Sequence, residues 1–375
     1  MHVVIIGAGI AGLLAAREII NTGVVSNVTI FEEDSSIGKP EHCTGIVSEN
    51  FLRLVPEARD FILGKYKYME IIGKDFKTIA ELKFRNYIYM IDRAAVEQKV
   101  AEKILDKALI LTRTKVTDIL VHKDSVKIIL SEQSKYSQSL SKQDIVIVCE
   151  GARQYFARKL LGFSSRKYVY GIQCDCKSYI RKEMHEDTIY ILYDRKFSDL
   201  YFSWIVPQDN DIVRVGLGAH KLLKQRFEML TRLVKPIKVL KVFGGKILLD
   251  KCPDKIYVKN VLFMGDSVNF IKPMTGGGNS ICAFTARILG KCISNFGKYY
   301  LDGVSLARLC AISLVRFVRS LQHGADTLYD LIMRSTLRDV ALDLLSCFRF
   351  VIPVFDIQDF DIQARYVEKI SVRII

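Results

Sequence analysis

The chain has 375 residues, 50% of them hydrophobic and 26% charged, which excludes a disordered or low-complexity polymer and allows two or three folding units around a sizeable core. Its formal net charge of +14 points to an acidic partner, and the lack of a basic block with interleaved aromatics speaks against nucleic acid. The 9 cysteines form no CxxC pair and no apolar run reaches the length of a membrane span, so a disulfide scaffold and an integral membrane protein are both excluded and a cytoplasmic location is expected.

The first element is a strand, Val3-Val4-Ile5-Ile6, apolar throughout as suits burial on both faces. Gly7-Ala8-Gly9-Ile10-Ala11-Gly12 follows, and then good helix-forming sequence from Leu13 to Ile20. Gly7 allows the tight turn, Gly9 lets the backbone approach a pyrophosphate, and Gly12 lets the helix pack on the strand. The helix N-terminus directs N–H groups and a positive dipole end at that anion. Val28-Thr29-Ile30-Phe31 reads as the next strand, and Glu32 closes it where a carboxylate accepts ribose hydroxyls. An acid there favours a nucleotide with a free 2′-hydroxyl, FAD or NAD over NADP.

A turn-rich loop, Glu33–Pro40, leads into Glu41-His42-Cys43-Thr44-Gly45. Strands are expected near Met69–Ile72 and Ile79–Phe84. A helix capped by Asp92 is expected from Arg93 to about Asp106. Short strands follow near Leu109–Leu111, Val116–His122 and Val126–Leu130, with Ser131–Ser141 as a polar hairpin tip. Ile145–Cys149 is another fully apolar strand, closed by Glu150-Gly151-Ala152. From about 165 to 250, period-two alternation rich in Tyr, Phe and Val predicts an antiparallel sheet, broken by a helix at Lys221–Leu233. Val261–Met264 returns to the buried parallel type and runs into Gly265-Asp266. Thr275-Gly276-Gly277-Gly278-Asn279 then precedes a helix from Ser280 to about Asn295. The pattern from Gly303 to the end is mostly helical, with Leu306, Leu309, Cys310, Leu314, Phe317 and Leu321 as a stripe read as core. Buried parallel strands early, midway and late, with an antiparallel sheet between, imply an α/β chain (α+β overall): a discontinuous Rossmann-like dinucleotide domain around an inserted antiparallel-sheet domain, with a C-terminal helical region.

The glycine unit, the Asp92-Arg93 helix start, the Val146–Gly151 strand and turn, and Gly265-Asp266 with its glycine loop resemble, in this order, FAD-dependent oxidoreductases of the para-hydroxybenzoate hydroxylase type. Three further stretches resemble the geranylgeranyl reductase family, including archaeal members that saturate isoprenoid ether lipids. Lys39-Pro40-Glu41-His42-Cys43-Thr44-Gly45 is similar to its Pro-x-x-Cys-x-Gly segment, Phe202-Ser203-Trp204-Ile205-Val206-Pro207 to its Tyr-x-Trp-x-Phe-Pro stretch, and Pro273-Met274-Thr275-Gly276-Gly277-Gly278 to its Pro-x-Thr-Gly-Gly-Gly loop. The resemblance covers roughly residues 1–295. It implies an FAD-binding domain of residues 1–60, 85–160 and 255–296, a substrate domain of 61–84 and 161–254, and a helical region of 297–375.

The same resemblance implies that Gly7, Gly9, Gly12, Glu32, Cys43, Thr44, Gly45, Arg93, Asp266, Gly278 and Asn279 bind FAD, with Asp266 on the ribityl chain and the Gly278 and Asn279 N–H groups at the N1–C2=O edge of the flavin. Arg93 reads either as a cofactor contact or as the partner of a neighbouring acid. Cys43 either donates the proton that accompanies hydride transfer or packs as a small apolar group, with His42 either tuning the thiol or lying on the loop surface. Phe202, Trp204 and Pro273 are expected in the substrate pocket, Trp204 as pocket wall or plain core. No metal site is expected; Cys174-Asp175-Cys176 is too short for zinc, and the cysteines other than Cys43 read as core.

The function implied is FAD-dependent reduction of carbon–carbon double bonds in a geranylgeranyl-type lipid or prenyl diphosphate. The electron donor is NAD(P)H or a ferredoxin-like protein, and high charge with a mean hydropathy of +0.16 suits peripheral contact with a membrane. Two alternatives stay open at this stage: a flavin monooxygenase and a non-catalytic prenyl-lipid-binding flavoprotein. Asn279 and Phe202 depart from the family pattern on the flavin and substrate side, so the particular isoprenoid is open too.

Overall fold

The computed structural model describes residues 1–131, 138–209, 211–299, 302–323 and 350–351. The first strand, β1 (His2–Ile6), lies inside a six-stranded sheet of order Tyr257–Val258, Val261–Phe263, Ile145–Val148, β1, β2 (Asn27–Phe31) and Leu109–Leu111. Val4 pairs in parallel with Thr29 on one side and Val146 on the other. Val3, Val4 and Ile5 have no exposed surface, which is what an uninterrupted apolar run achieves in a sheet covered on both faces. The only antiparallel pair in this sheet, among the described residues, is Tyr257–Val258 with Val261–Phe263.

The helix α1 (Ile10–Ile20) packs against a long helix, Asn279–Tyr299. Gly290 allows the close approach: a Cβ there would stand 3.1 Å from the Glu18 carbonyl oxygen. A further helix, Gly303–Gln322, buries Leu306, Cys310, Leu314 and Phe317 in the same apolar core, as the stripe in its sequence implies. The rest of the expected C-terminal helical region, residues 324–349 and 352–375, lies outside the described residues, and Phe350–Val351 is a strand.

The second sheet has nine strands. Its order runs Pro236–Leu248, Tyr168–Ser178, Ile212–Ala219, Ser203–Pro207, Thr188–Leu192, Ile62–Ile72, Thr78–Ile91 and Phe350–Val351, with Ile46–Ser48 also paired to Thr78–Ile91. Alternation divides its apolar side chains between two clusters. Cys174, Cys176, Val213 and Val215 pack with Phe227 and Leu230 of the helix Leu223–Val234, while Tyr66, Met90, Phe202 and Trp204 pack in the other. A three-stranded sheet joins Val116–Val121, Ser125–Leu130 and Gln138–Ser141.

The structure corrects several expected limits. The strands expected near Met69–Ile72 and Ile79–Phe84 are a long hairpin, Ile62–Ile72 with Thr78–Ile91, so the domain limit placed at 84/85 falls inside one continuous strand. The limit at 296/297 likewise falls inside the helix Asn279–Tyr299. The expected hairpin tip at Ser131–Ser141 ends in a strand, Gln138–Ser141; residues 132–137 of that tip lie outside the described residues. The Asp92-capped helix stops at Glu102 rather than near Asp106.

Candidate functional site

The glycine turn is built by close approach. Gly7 takes φ +101°, and a Cβ on it would lie 2.4 Å from the Cys149 carbonyl oxygen. A Cβ on Gly12 would lie 2.0 Å from the Gly7 carbonyl oxygen, so strand, turn and helix fit only without side chains there. Gly9 differs: a Cβ on it would meet nothing nearer than Glu97 Oε1 at 3.9 Å, which leaves a concavity above the helix start. Glu32 closes β2 and accepts N–H bonds from Ala8 (2.7 Å) and Asp34 (2.9 Å). Two carboxylate oxygens have room for more than two donors, so this pairing fixes the side chain beside the turn and leaves acceptor capacity.

Asp92 Oδ1 accepts from the Ala95 N–H over 3.1 Å and starts the helix Arg93–Glu102 under this turn. Arg93 pairs with Glu97 one turn on at 3.2 Å, the acid-pair reading of its sequence context. Its Nη2 also lies 3.1 Å from His42 Nε2. A guanidinium only donates, so Nε2 is the acceptor and Nδ1 carries the hydrogen, directed at the Pro40 carbonyl oxygen 3.1 Å away. The surrounding chain, and then the Arg93 cation, depress His42 to about 4, although the residue is exposed. The ring is therefore neutral near pH 7. Burial pushes the Glu97 carboxyl upward, with Arg93 opposing.

The segment Glu41–Gly45 crosses to the other sheet. Gly45 takes φ +81°, where a Cβ would lie 2.3 Å from the Ile91 carbonyl oxygen, and its own carbonyl accepts from the Ile91 N–H. Cys43 lines a cleft with Gly38, His42, Arg93 and Arg214. Its Sγ accepts from the Gly45 N–H at 3.3 Å and from Asn279 Nδ2 at 3.5 Å. That second contact joins segments 236 positions apart, bringing the cysteine to the N-terminus of the long helix.

Asp266 stands beside the same helix start, where a Cβ on Gly278 would be 3.3 Å from its Oδ1. Burial raises its carboxyl to about 6, with Arg93 pulling the other way. The loop Pro273–Gly278 is closed on itself by Gly276 N–H and Thr275 N–H bonds to the Lys272 carbonyl.

Phe202, Trp204 and Pro273 are buried rather than among the residues lining the Cys43 cleft. Phe202 stacks on Tyr201 with ring centroids 4.0 Å apart, Tyr201 donates its hydroxyl to the Thr275 carbonyl, and Met274 packs on the same cluster. Trp204 Nε1–H donates to Gln173 Oε1 over 3.3 Å.

Gln173 is one of the residues that sequence reasoning missed. Its Oε1 also accepts from the Thr44 hydroxyl (3.0 Å), and its Nε2 donates to the His42 carbonyl (3.4 Å), so one amide holds both neighbours of Cys43. Arg214 was missed as well. It forks onto Asp175 at 2.6 and 2.7 Å and gives a third N–H to the Thr44 carbonyl at 2.7 Å. Gln208 and Lys241 complete the surroundings of Asp175, and Lys241 also binds Glu41 at 2.6 Å. The available signal was a charge within an apolar strand: Asp175 between Cys174 and Cys176, Arg214 between Val213 and Val215. Alternation alone would place each against a partner of opposite charge or in water.

These residues suit a dinucleotide. The concavity at Gly9, an acid at the end of β2 and a buried carboxyl facing a second helix start are what an adenosine, a pyrophosphate and a polyol chain would need. Among the described residues, no His, Cys, Asp and Glu cluster is arranged for a metal ion.

Residues 2–183 match the family model for lycopene cyclase protein. The chain is 24% identical over 308 residues to digeranylgeranylglycerophospholipid reductase 2 of Methanothermobacter thermautotrophicus, covering 77% of this chain and 76% of that one. It is 27% identical over 296 residues to digeranylgeranylglycerophospholipid reductase 1 of Methanosphaera stadtmanae, covering 74% and 70%. In fold it is similar to a geranylgeranyl bacteriochlorophyll reductase-like protein of Thermoplasma acidophilum, with a TM-score of 0.79, 15% identity and coverage of 98% and 97%. It is also similar to HpxO of Klebsiella pneumoniae, a structure complexed with FAD and uric acid, with a TM-score of 0.69, 14% identity and coverage of 93% of each. Two sheets joined through the Cys43 segment, a glycine turn on the first strand and archaeal reductases aligned over three quarters of the chain agree: the chain is similar to the digeranylgeranylglycerophospholipid reductases in sequence and to a geranylgeranyl reductase-like protein in fold.

Proposed function

We propose that this chain is an FAD-dependent reductase that saturates carbon–carbon double bonds of a geranylgeranyl-type lipid or related prenyl substrate. The observation that carries the proposal is the contact of Asn279 with Cys43, which lines a cleft together with Arg93. It joins the segment expected to donate a proton with the helix start expected to face the flavin.

Gly7, Gly9, Gly12 and Glu32 would hold the adenosine and pyrophosphate end, and Asp266, Gly278 and Asn279 the flavin end. Thr44, Gly45 and Arg93 would border the ring between them. Bound and reduced, FAD would supply the hydride for one alkene carbon. The second carbon then needs a proton, which the Cys43 thiol would give. Neutral His42 would take no proton from the thiol near pH 7; held by Arg93 and Pro40, it positions the loop. Gln173 and Arg214 keep Thr44 and His42, and so the cysteine between them, at a fixed height above the cleft. Phe202, Trp204 and Pro273 would form the apolar body behind the surface on which a prenyl chain lies. The electron donor, NAD(P)H or a small acidic protein, belongs to the same proposal.

Substitution of Cys43 by Ser tests the chemistry. The expected result is turnover lowered on the order of 100-fold with flavin content unchanged, because positioned acid catalysis contributes about that much. Loss of flavin, with turnover per bound flavin intact, would make Cys43 a packing residue instead.

A further inference from the structure

The edge strand Pro236–Leu248 has a surface that the proposed chemistry does not use. Among the described residues no strand pairs with its outer side. Four aliphatic side chains along it are open to water: Ile237 (57% exposed), Val239 (47%), Leu240 (43%) and Val242 (56%). A bare aliphatic edge invites association, and native sheets normally blunt one. This edge instead carries lysines. Lys238 stands directly across from Lys177 on the neighbouring strand, both exposed, and like charges opposite each other repel. An anion between or above them would remove that cost.

The lysine pair also has a direction. Alternation puts Gln173, Asp175 and Lys177 on one face, and their cross-strand partners Phe243, Lys241 and Lys238 beside them. This is the face whose Gln173 and Asp175 hold the Cys43 loop. Lys241 bonds Glu41, two residues before Cys43, and a Cβ on Gly245 would touch His42 at 3.1 Å. Lysines therefore stand on this face from the open edge to the mouth of the cleft, where Lys241 is paired with Glu41 and Asp175.

We propose that the strand Pro236–Val242, with Lys177, is the surface by which the protein lies on an anionic lipid bilayer. Val239 and Val242, across from Cys176 and Cys174, lie on the other face, so an edge laid on a bilayer would bring aliphatic groups and lysines to it from its two faces, the aliphatic groups entering the acyl boundary and the cations meeting phosphate. An acidic protein would pair with the lysines but offer nothing to four aliphatic side chains. No described helix is long and apolar enough to cross a membrane, so contact of this kind would be lateral. The inference rests on the lipid-reductase reading for its purpose, since a lipid entering from this edge would pass the lysine row on its way to Cys43.

The test is sedimentation of the full chain, loaded with flavin, with vesicles of phosphatidylcholine alone and of equal parts phosphatidylcholine and phosphatidylglycerol. Binding is expected only to the anionic vesicles. The K177Q/K238Q variant should bind roughly 25-fold more weakly, about fivefold per lysine. The I237S/L240S variant should also lose binding, and both variants should keep the flavin content and melting temperature of the parent. Equal binding to both vesicle types, no binding to either, or variants that bind as the parent does would overturn the proposal. So would dissociation of a dimer by I237S/L240S with no change in vesicle binding, which would make the edge a contact between copies. Turnover of a detergent-dispersed prenyl substrate separates the two readings. If vesicle binding behaves as expected and no prenyl substrate is reduced, the docking surface stands and the reductase reading fails.

Discussion

Asp266 and His42 both feel the Arg93 cation and respond to pH in opposite senses. Burial raises Asp266 to about 6 from an ordinary 3.8, so its contribution to stability is full below the ordinary value and is lost as pH rises through about 6. His42 is depressed to about 4 from 6.5, so its contribution is present above pH 6.5 and is lost as pH falls towards 4. In thermal melts of the flavin-free protein, D266N should remove a loss of stability between pH 4 and 7, and H42Q a gain over the same span. Polyol donors bound at Asp266 would favour its charged form, so flavin affinity should rise with pH through 6 in the parent and stay flat in D266N. A parent affinity independent of pH would remove Asp266 from the flavin site. At this scale the sequence showed the glycines, Glu32 and Cys43, because each belongs to a local pattern. Gln173 and Arg214 were not legible in that way, since their partners Thr44 and Asp175 lie on a distant loop and on another strand, and only the tertiary fold brings them together.

Between the Arg214 guanidinium and Asp175, both almost fully buried, the ion pair ties two strands to the Cys43 loop. Removing one partner of a buried pair leaves an uncompensated charge and costs about 3–5 kcal/mol. R214M should therefore lower the melting temperature sharply, whereas the double variant R214M/D175L should recover much of the loss. A double variant no more stable than R214M would mean that the pair does not act as a unit. The Asp92 cap is a milder case at the element scale: D92A should cost about 1 kcal/mol in denaturant melts, because one N–H at the start of the Arg93 helix loses its acceptor. G12A should cost about 1–3 kcal/mol or more and abolish flavin retention, since its methyl would collide with the Gly7 carbonyl. The elements themselves were legible where burial is uniform. Four-residue runs such as Ile145–Val148 fill a strand buried on both faces, and the pattern stops where the strand stops. They were less legible in the hairpin Ile62–Ile72 with Thr78–Ile91. Lys65, Lys67, Lys83 and Arg85 interrupt its apolar alternation there, and Lys65 stacks over Tyr87 at 3.8 Å instead of marking a loop.

The molecule as a whole divides its tasks between two sheets, with the Cys43 segment and the Pro273–Gly278 loop meeting between them. The parallel sheet presents the glycine turn and Asp266, and the antiparallel sheet presents Gln173, Arg214 and the aromatic cluster. Chain order in the sequence was enough to expect that division, because the two kinds of sheet leave different hydrophobic periods. Their exact meeting was not, because it depends on contacts such as Asn279 with Cys43 across most of the chain. The net charge of +14 would act at this scale as well, favouring encounter with anionic over neutral lipid, a preference that raised salt should weaken. The most direct measurement is an anaerobic single turnover of the flavin-loaded protein, reduced with dithionite and given digeranylgeranylglycerophospholipid, with the product analysed by mass spectrometry. The expected result is reoxidation of the flavin with the gain of two hydrogens for each double bond saturated, slowed in C43S. An unchanged lipid beside flavin that stays reduced, or a product formed only with oxygen and carrying an added oxygen atom, would contradict it.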